Sequence, residues 1–254
     1  MDPSPCALSI VVPVLDEEQA LPRLLGQLSP LLRADEELLV VDGGSRDRTL
    51  ERARAGGLRP GALLTAGRAG RAAQMNLGAA AARGEWLLFL HADAALDAPG
   101  LEALRQALAG VARAGGPAPD ARAGGPAPDA PAWGWFRLRL EAPGLAYRAI
   151  ERGIRLRSRL FATPSGDQGL FVRRALFLRL GGFPDLPVCE DLALVDRLRA
   201  EGPPRVLSAT LGTSARRWQR GGVVKTVLRL WAIRAAYRLG VDPRHLARHY
   251  RPLR

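Results

Sequence analysis

Short apolar runs, each followed at once by acidic residues, constrain this chain more than any other feature. Residues 10–14 lead into Asp16 and Glu17, residues 38–41 into Asp42, and residues 86–90 into His91-Ala92-Asp93. Further along, Cys189 precedes Glu190 and Asp191. Buried parallel strands read as continuous apolar runs. In open α/β sheets, ligands bind in the crevice beyond the carboxyl ends of the strands. Several carboxylates delivered to one such edge suit a metal ion and a hydroxylated, phosphorylated ligand, which points to an enzyme.

The spacing of apolar residues predicts strands over 7–14, 37–41, 62–65 and 86–90. Helices are expected between them: one entered through an Asp16/Gln19 capping pair and reaching about residue 32, one over 47–55 and one over 71–82. Pro99 suits the first turn of a further helix reaching residue 112. This alternation implies a parallel, doubly wound sheet with right-handed crossovers. Residues 112–120, ARAGGPAPD, then recur unchanged at 121–129. A Gly- and Pro-rich tandem copy has little apolar surface to bury, so residues 113–132 are expected to form a flexible surface insertion. Beyond it a strand is expected over 133–141, with Phe136, Leu138 and Leu140 on one face and Trp135, Arg137 and Arg139 on the other. A basic helix over 145–160, a strand over 169–173, helices over 175–180 and 192–201, a strand over 205–211 and helices over 222–239 and 245–250 complete the reading.

With 254 residues, 47% hydrophobic and 24% charged, the chain can bury a real core and is not of the disordered class. The formal charge of +12 is carried almost wholly by arginine, Lys225 being the single lysine. Together with the abundant Ala, Gly and Pro, this reads partly as compositional bias and partly as attraction to an anionic partner. Cys6 and Cys189 form neither a disulfide framework nor a metal motif, and a reducing compartment is the simplest reading. No basic start leads into an apolar stretch, and no apolar run reaches the ~20 residues that span a bilayer. The expectation is a cytoplasmic protein, at most peripheral at the inner face of the membrane.

The segment Gly67-Arg68-Ala69-Gly70-Arg71 offers backbone N–H groups, a helix N-terminus and two guanidiniums, all suited to phosphate, without the Lys of a Walker loop. Gly78 on the following helix suits close packing on a strand. Taken in order, IVVPVLDEE (10–18), VVDGGSRDRT (40–49), GRAGRAAQMNLGAAAARGEWLLFLHAD (67–93), GDQGLFVRR (166–174), GGFPDLPVCEDLALVDRL (181–198) and ARRW (215–218) resemble the inverting family 2 glycosyltransferases of the GT-A fold. The likeness is close to the small bacterial subgroup labelled radical-SAM/selenodomain-associated transferase 2.

The resemblance implies one GT-A domain over 1–254: a mostly parallel, Rossmann-like sheet flanked by helices, with a C-terminal helical extension. Residues 1–112 would form the nucleotide-binding half, 133–221 the acceptor and catalytic half, and 222–254 the C-terminal helices. It implies Asp191 as general base, with Glu190 as the alternate. Asp42 would contact the nucleotide, with Pro13, Leu15 and Glu17 as the other wall. Gly44, Ser45, Gly67, Arg68, Arg71 and Asn76 would complete the nucleotide site. Asp93 would hold a divalent cation, Mg²⁺ or Mn²⁺, at the place of the family's DxD motif; His91 stands where the first Asp would be. Ala92, Asp167, Gln168, Arg217 and Trp218 would meet donor sugar or acceptor, Arg217-Trp218 matching the end of a QxxRW motif in which Ser214 replaces the Gln.

The implied donor is a nucleotide sugar, a UDP-sugar first and a GDP-sugar second, with an unspecified acceptor and no nucleic acid. A nucleotidyltransferase is a second enzyme reading, disfavoured because VVPVLDEE stands where a Gly-rich loop with a Lys would follow the first strand. A nucleic-acid-binding module is a third, resting only on arginine content. The basic helix and the 222–239 segment also leave room for membrane contact and a polyprenyl-phosphate acceptor.

Overall fold

The computed structural model describes residues 6–68, 70–115 and 131–249. The side chains of residues 112–115, 217, 220, 223, 224 and 249 are outside that description, as is most of the tandem repeat. The chain runs β1 (Leu8–Val14), α1 (Ala20–Leu28), β2 (Glu36–Asp42), α2 (Thr49–Ala55), β3 (Leu63–Thr65), α3 (Arg71–Ala81), β4 (Trp86–Phe89), β5 (Ala94–Ala95) and α4 (Ala98–Gly115). After the repeat come β6 (Trp133–Leu140), α5 (Leu145–Phe161), β7 (Phe171–Arg173), α6 (Arg174–Arg179), α7 (Glu190–Glu201), β8 (Arg205–Thr213), α8 (Arg216–Gly221), α9 (Val223–Arg238) and α10 (Pro243–His249).

The strands form one eight-stranded sheet in the order β3-β2-β1-β4-β7-β6-β8-β5. Its first four strands are parallel. Period-2 alternation divides their side chains between two cores. Leu8, Ile10, Val12 and Val14 of β1 pack with α1 and α4 on one face, while Val11 packs with α3 and α7 on the other. Both faces of the sheet are covered, and the strand sequences are therefore apolar throughout. Gly78 lets α3 approach this sheet: a Cβ there would lie 2.4 Å from Val11 Cγ1.

Two expectations are corrected. The sheet is not parallel throughout: β7 is antiparallel to both β4 and β6, and β5 is antiparallel to β8. β7 follows α5 and the turn at residues 166–168, and its three residues run backwards between β4 and β6, a direction that an apolar run does not encode. Asp16 and Gln19 do not form a helix-capping pair; α1 begins only at Ala20 and has no side-chain cap. Asp16, with φ at 55°, accepts instead from Arg46 N–H at 2.8 Å. Bonds from Asp16 N–H to Ser45 Oγ (3.0 Å) and from Glu17 N–H to Thr49 Oγ1 (2.7 Å) tie the loops after β1 and β2 together.

Beyond β8, α8, α9 and α10 pack back across α5 and α7. Trp218 and Ala215 join Leu138 and Leu140 in a small core with Ile150, Ile154, Val227 and Leu230 packed against it. Val188 and Leu192 meet Ile233 and Leu246 in another. No described helix is long and apolar enough to cross a membrane.

Candidate functional site

A cavity of about 720 Å³ opens at the carboxyl ends of β1 and β4 and extends between α5, α7 and α9. Pro13, Leu15, Glu17, Arg71, Ala92, Asp93, Asp167, Glu190, Asp191 and Trp218 line it, so ten of the residues expected in the site share one space. His91 lies there as well.

The turn after β4 delivers His91, Ala92 and Asp93. It is closed by a bond from Ala94 N–H to His91 O (3.1 Å), and Ala94 then pairs with Thr213 of β8. His91 Nδ1 lies 3.0 Å from Asp167 Oδ1. The Asp191 carboxylate accepts from Gly166 N–H at 2.9 Å and from Leu192 N–H at 2.8 Å. Gly166 sits close against this cluster: a Cβ there would lie 3.2 Å from His91 Nε2 and 3.7 Å from Asp191 Oδ2. Cys189, at φ 65°, turns the chain into α7 so that Glu190 and Asp191 enter the cavity wall from its first turn.

The electrostatics of the site are dominated by crowded acids. Burial, and then the neighbouring Asp93, raise Glu17 above the usual carboxylate range, against the pull of Arg216 and His91. Burial and the adjacent Asp191 raise Glu190; Arg71, whose Nη1 lies 3.8 Å away, pulls the other way. Burial beside Asp191 and Glu190 pushes the Cys189 thiol up to about 12, which keeps it neutral and poorly nucleophilic.

Among the described residues, no group of three or more His, Cys, Asp or Glu side chains is arranged to hold a metal ion by itself. Asp93 and Glu17 line one wall of the cavity, near enough for Asp93 to raise Glu17, and as oxygen donors they nevertheless fit a hard cation of the Mg²⁺ kind. Such a cation takes one or two carboxylates, keeps waters and completes its shell with phosphate oxygens. A cation there would relieve the repulsion that raises Glu17.

Other expected residues stand elsewhere. Asp42 is buried, and its carboxylate accepts from Gly44 N–H (2.9 Å), Ser45 N–H (3.2 Å) and Ser45 Oγ (2.5 Å). It holds the turn after β2, where Gly44 adopts φ 95°, and none of Asp42, Gly44 and Ser45 lines the cavity. Gly67 and Arg68 are also off the cavity wall, Arg68 pairing with Asp185 at 2.6 Å. Asn76 braces the Phe183 backbone in both directions, at 2.8 and 2.9 Å. Gln168 is buried, taking a bond from Ser158 Oγ at 3.0 Å. The side chain of Arg217 lies outside the described residues.

The structure also brings in residues the sequence reading passed over. Gln74 of α3 donates to Val14 O (2.7 Å) and Val41 O (2.8 Å), filling the space left by Gly43. Arg157 of α5, Arg216 of α8 and Arg234 of α9 line the cavity. A signal for two of them was present. Ile150, Ile154 and Arg157 follow the spacing of one helix face, as do Val227, Leu230, Trp231 and Arg234.

Curated relatives match this chain in part. It is 40% identical over 91 residues to a PGL/p-HBAD biosynthesis glycosyltransferase of Mycobacterium tuberculosis, a stretch covering 35% of this chain and 36% of that protein. The chain therefore spans about a third of the length of the curated relatives it matches. Solved structures match over far more of its length. One is S. aureus TarS residues 1–349 in complex with UDP, at a TM-score of 0.58 and 19% identity, covering 91% of this chain and 65% of that one. Another is Mycobacterium tuberculosis glucosyl-3-phosphoglycerate synthase in complex with Mn²⁺, UDP and glucosyl-3-phosphoglycerate, at a TM-score of 0.58 and 20% identity, covering 93% of this chain and 81% of that one. These likenesses establish a GT-A-type α/β fold. Residues 9–158, more than half of the chain, match the model described as Glycosyl transferase family 2, and with the acid-lined crevice at the strand ends this makes the chain a member of glycosyl transferase family 2.

Proposed function

We propose that this chain transfers a sugar from a nucleotide-sugar donor to an acceptor hydroxyl with inversion at the anomeric carbon. The observation that carries the reading is the convergence of Asp93, from the turn after β4, and Asp191, from the start of α7, on one cavity. The donor diphosphate would lie toward Glu17, Asp93, Arg71 and Arg216, and the acceptor toward Asp167 and Asp191. UDP in the TarS and glucosyl-3-phosphoglycerate synthase structures supports a UDP-sugar as the donor to try first, before a GDP-sugar. Mg²⁺ or Mn²⁺, present with UDP in solved structures of the latter enzyme, would be held by Asp93 with Glu17 beside it. Its chemistry is to neutralise the charge that develops on the departing diphosphate.

Asp191 acts as the base. Its carboxylate takes the proton from the acceptor hydroxyl as that oxygen attacks the anomeric carbon from the side opposite the diphosphate. The carbon–oxygen bond to the diphosphate breaks with its electron pair, and the nucleoside diphosphate leaves. The bonds from Gly166 N–H and Leu192 N–H fix the carboxylate without protonating it. Glu190, raised by burial, is the alternate base. The finer subgroup resemblance, the single-domain division and the placing of Arg217 and Trp218 at donor sugar or acceptor remain parts of this reading. Peripheral membrane contact belongs to it too, supported by exposed Leu156, Leu160 and Phe161 on α5 and Leu228 and Trp231 on α9.

Screening nucleotide sugars for hydrolysis or transfer with Mn²⁺ or Mg²⁺ tests the reading. Asp191→Asn should then lower turnover by about 10²–10⁴-fold, the range of general-base catalysis, while UDP affinity stays within about twofold. Normal transfer by this variant would sink the assignment of the base.

A further inference from the structure

Two guanidiniums that the transfer chemistry does not use stand in the same cavity. Arg157 of α5 and Arg234 of α9 both line it. Arg157 carries Nε and Nη2 buried without a hydrogen-bond partner. The Arg234 charge acts on Arg157, and Asp191 and Asp167 lie within electrostatic reach of Arg157. Burial, and then Arg234, push the Arg157 guanidinium down to about 10 in spite of those acids. Like charges placed together in a desolvated space, with donor N–H groups left over, are unfavourable until an anion joins them.

Each arginine also ends an apolar stripe. Ile150 and Ile154 precede Arg157 on the cavity-lining face of α5, and Val227, Leu230 and Trp231 precede Arg234 on that of α9. The two stripes share the small core around Leu138 and Trp218, and Trp231 is left 61% exposed. Thus the part of the cavity beyond Asp191 has apolar walls and a cationic end near the proposed base.

Resting on the glycosyltransferase reading, we infer that Arg157 and Arg234 form an anion subsite for the acceptor, which is a molecule with an apolar body and a phosphate or carboxylate head. The apolar body lies along the α5 and α9 stripes and the head between the two guanidiniums, so the acceptor's hydroxyl is presented to Asp191. A phosphomonoester, carrying close to two charges near neutral pH, matches the pair better than a carboxylate does.

The test is equilibrium binding to the full chain saturated with UDP and Mn²⁺, so that the diphosphate position is already filled. Octyl phosphate below its micelle concentration is compared with octanoate, inorganic phosphate and octanol. Octyl phosphate should bind best, octanoate next, and the two halves at least about tenfold more weakly than octyl phosphate. Arg157→Gln and Arg234→Gln should each weaken octyl phosphate about tenfold, and Arg157→Lys less, with thermal melting confirming that each variant is folded. UDP affinity should be unchanged in all of them. Octanol binding as well as octyl phosphate would overturn the guanidinium assignment, and inorganic phosphate binding as well would overturn the apolar one. Loss of UDP affinity in the variants, or competition between octyl phosphate and UDP, would place donor phosphate there and overturn the inference. Failure of the wild-type chain to bind any nucleotide sugar would instead sink the transferase reading, and the amphiphile series measured without UDP would still report on the subsite.

Discussion

The loops after β1 and β2, and the helices α5 and α9, border or back the same cavity and treat their polar groups in opposite ways. In the loops nearly every acidic group is engaged by the chain itself. Asp42 takes three bonds from Gly44 and Ser45, Asp16 one from Arg46 N–H, and Asp47 bonds from Glu18 N–H and Thr49. Along α5 and α9, Arg157 keeps two buried donor atoms without partners, and Leu156, Leu160 and Leu228 are exposed. The first region is a rigid frame that fixes where the strand ends stand. The second has unmet polar and apolar capacity, the mark of a surface whose partner is a ligand. Under the proposed function, the preorganised region is the donor side and the region of unmet capacity the acceptor side.

Asp93 lines the cavity with Glu17 and Glu190, apart from the loop-holding acids Asp42 and Asp47. Asp93→Ala should weaken UDP binding in the presence of Mn²⁺ on the order of 10²-fold, about 3 kcal/mol of lost charge neutralisation. In the presence of chelator the variant and the parent should bind UDP alike. Titration calorimetry with and without Mn²⁺ checks this. An equal loss in both conditions would make Asp93 a part of the frame and erase the contrast.

Asp42 gives a smaller effect of the opposite kind. Asp42→Ala leaves two backbone N–H groups of a buried turn without their acceptor, which costs about 1–3 kcal/mol of stability. Urea unfolding should show that loss, while UDP affinity measured on the folded variant changes by less than about threefold. A tenfold loss of UDP affinity at unchanged stability would return Asp42 to the nucleotide, as the family resemblance implies.

Much of this contrast could be read in the sequence, and its limits are physical. The strands of the first half were legible because burial on both faces leaves uninterrupted apolar runs such as residues 10–12 and 38–41. Strand direction was not, since a short run like Phe171–Arg173 reads the same parallel or antiparallel. β5 and α8 are too short to impose a period. At the site, Glu17, Asp93 and Asp191 were found because acids at strand and helix ends are conspicuous. Asp42 looked equivalent, yet whether a strand-end carboxylate faces a cavity or bonds its own turn depends on the φ of Gly44, which composition does not report. Arg157 and Arg234 were hidden among 37 basic residues, nearly all of them arginine. Only their place at the end of an apolar stripe separated them from solvated arginines, and that stripe had meaning only once α5 and α9 were seen to face one space.

The smallest expected effect lies at Glu190, where the cavity wall imposes a cost on the frame. Burial and Asp191 hold the folded-state pKa of Glu190 above the ordinary value near 4.5. The folded chain therefore binds this proton more tightly than the unfolded chain does. Below pH 4.5 the group is protonated in both states and contributes nothing. As pH rises from there toward the raised folded value, stability is lost, and above that value the loss is complete. Glu190→Gln keeps the shape and removes the charge, so it should match the parent in thermal melting near pH 4 and exceed it near pH 7.5. The exposed Arg71 that loses its distant partner adds little, because pairs of that kind are weak. A variant less stable than its parent by the same margin at both pH values would mean that the carboxylate is satisfied where it stands, and the cavity wall around α7 would then belong with the loops of β1 and β2 rather than with α5 and α9.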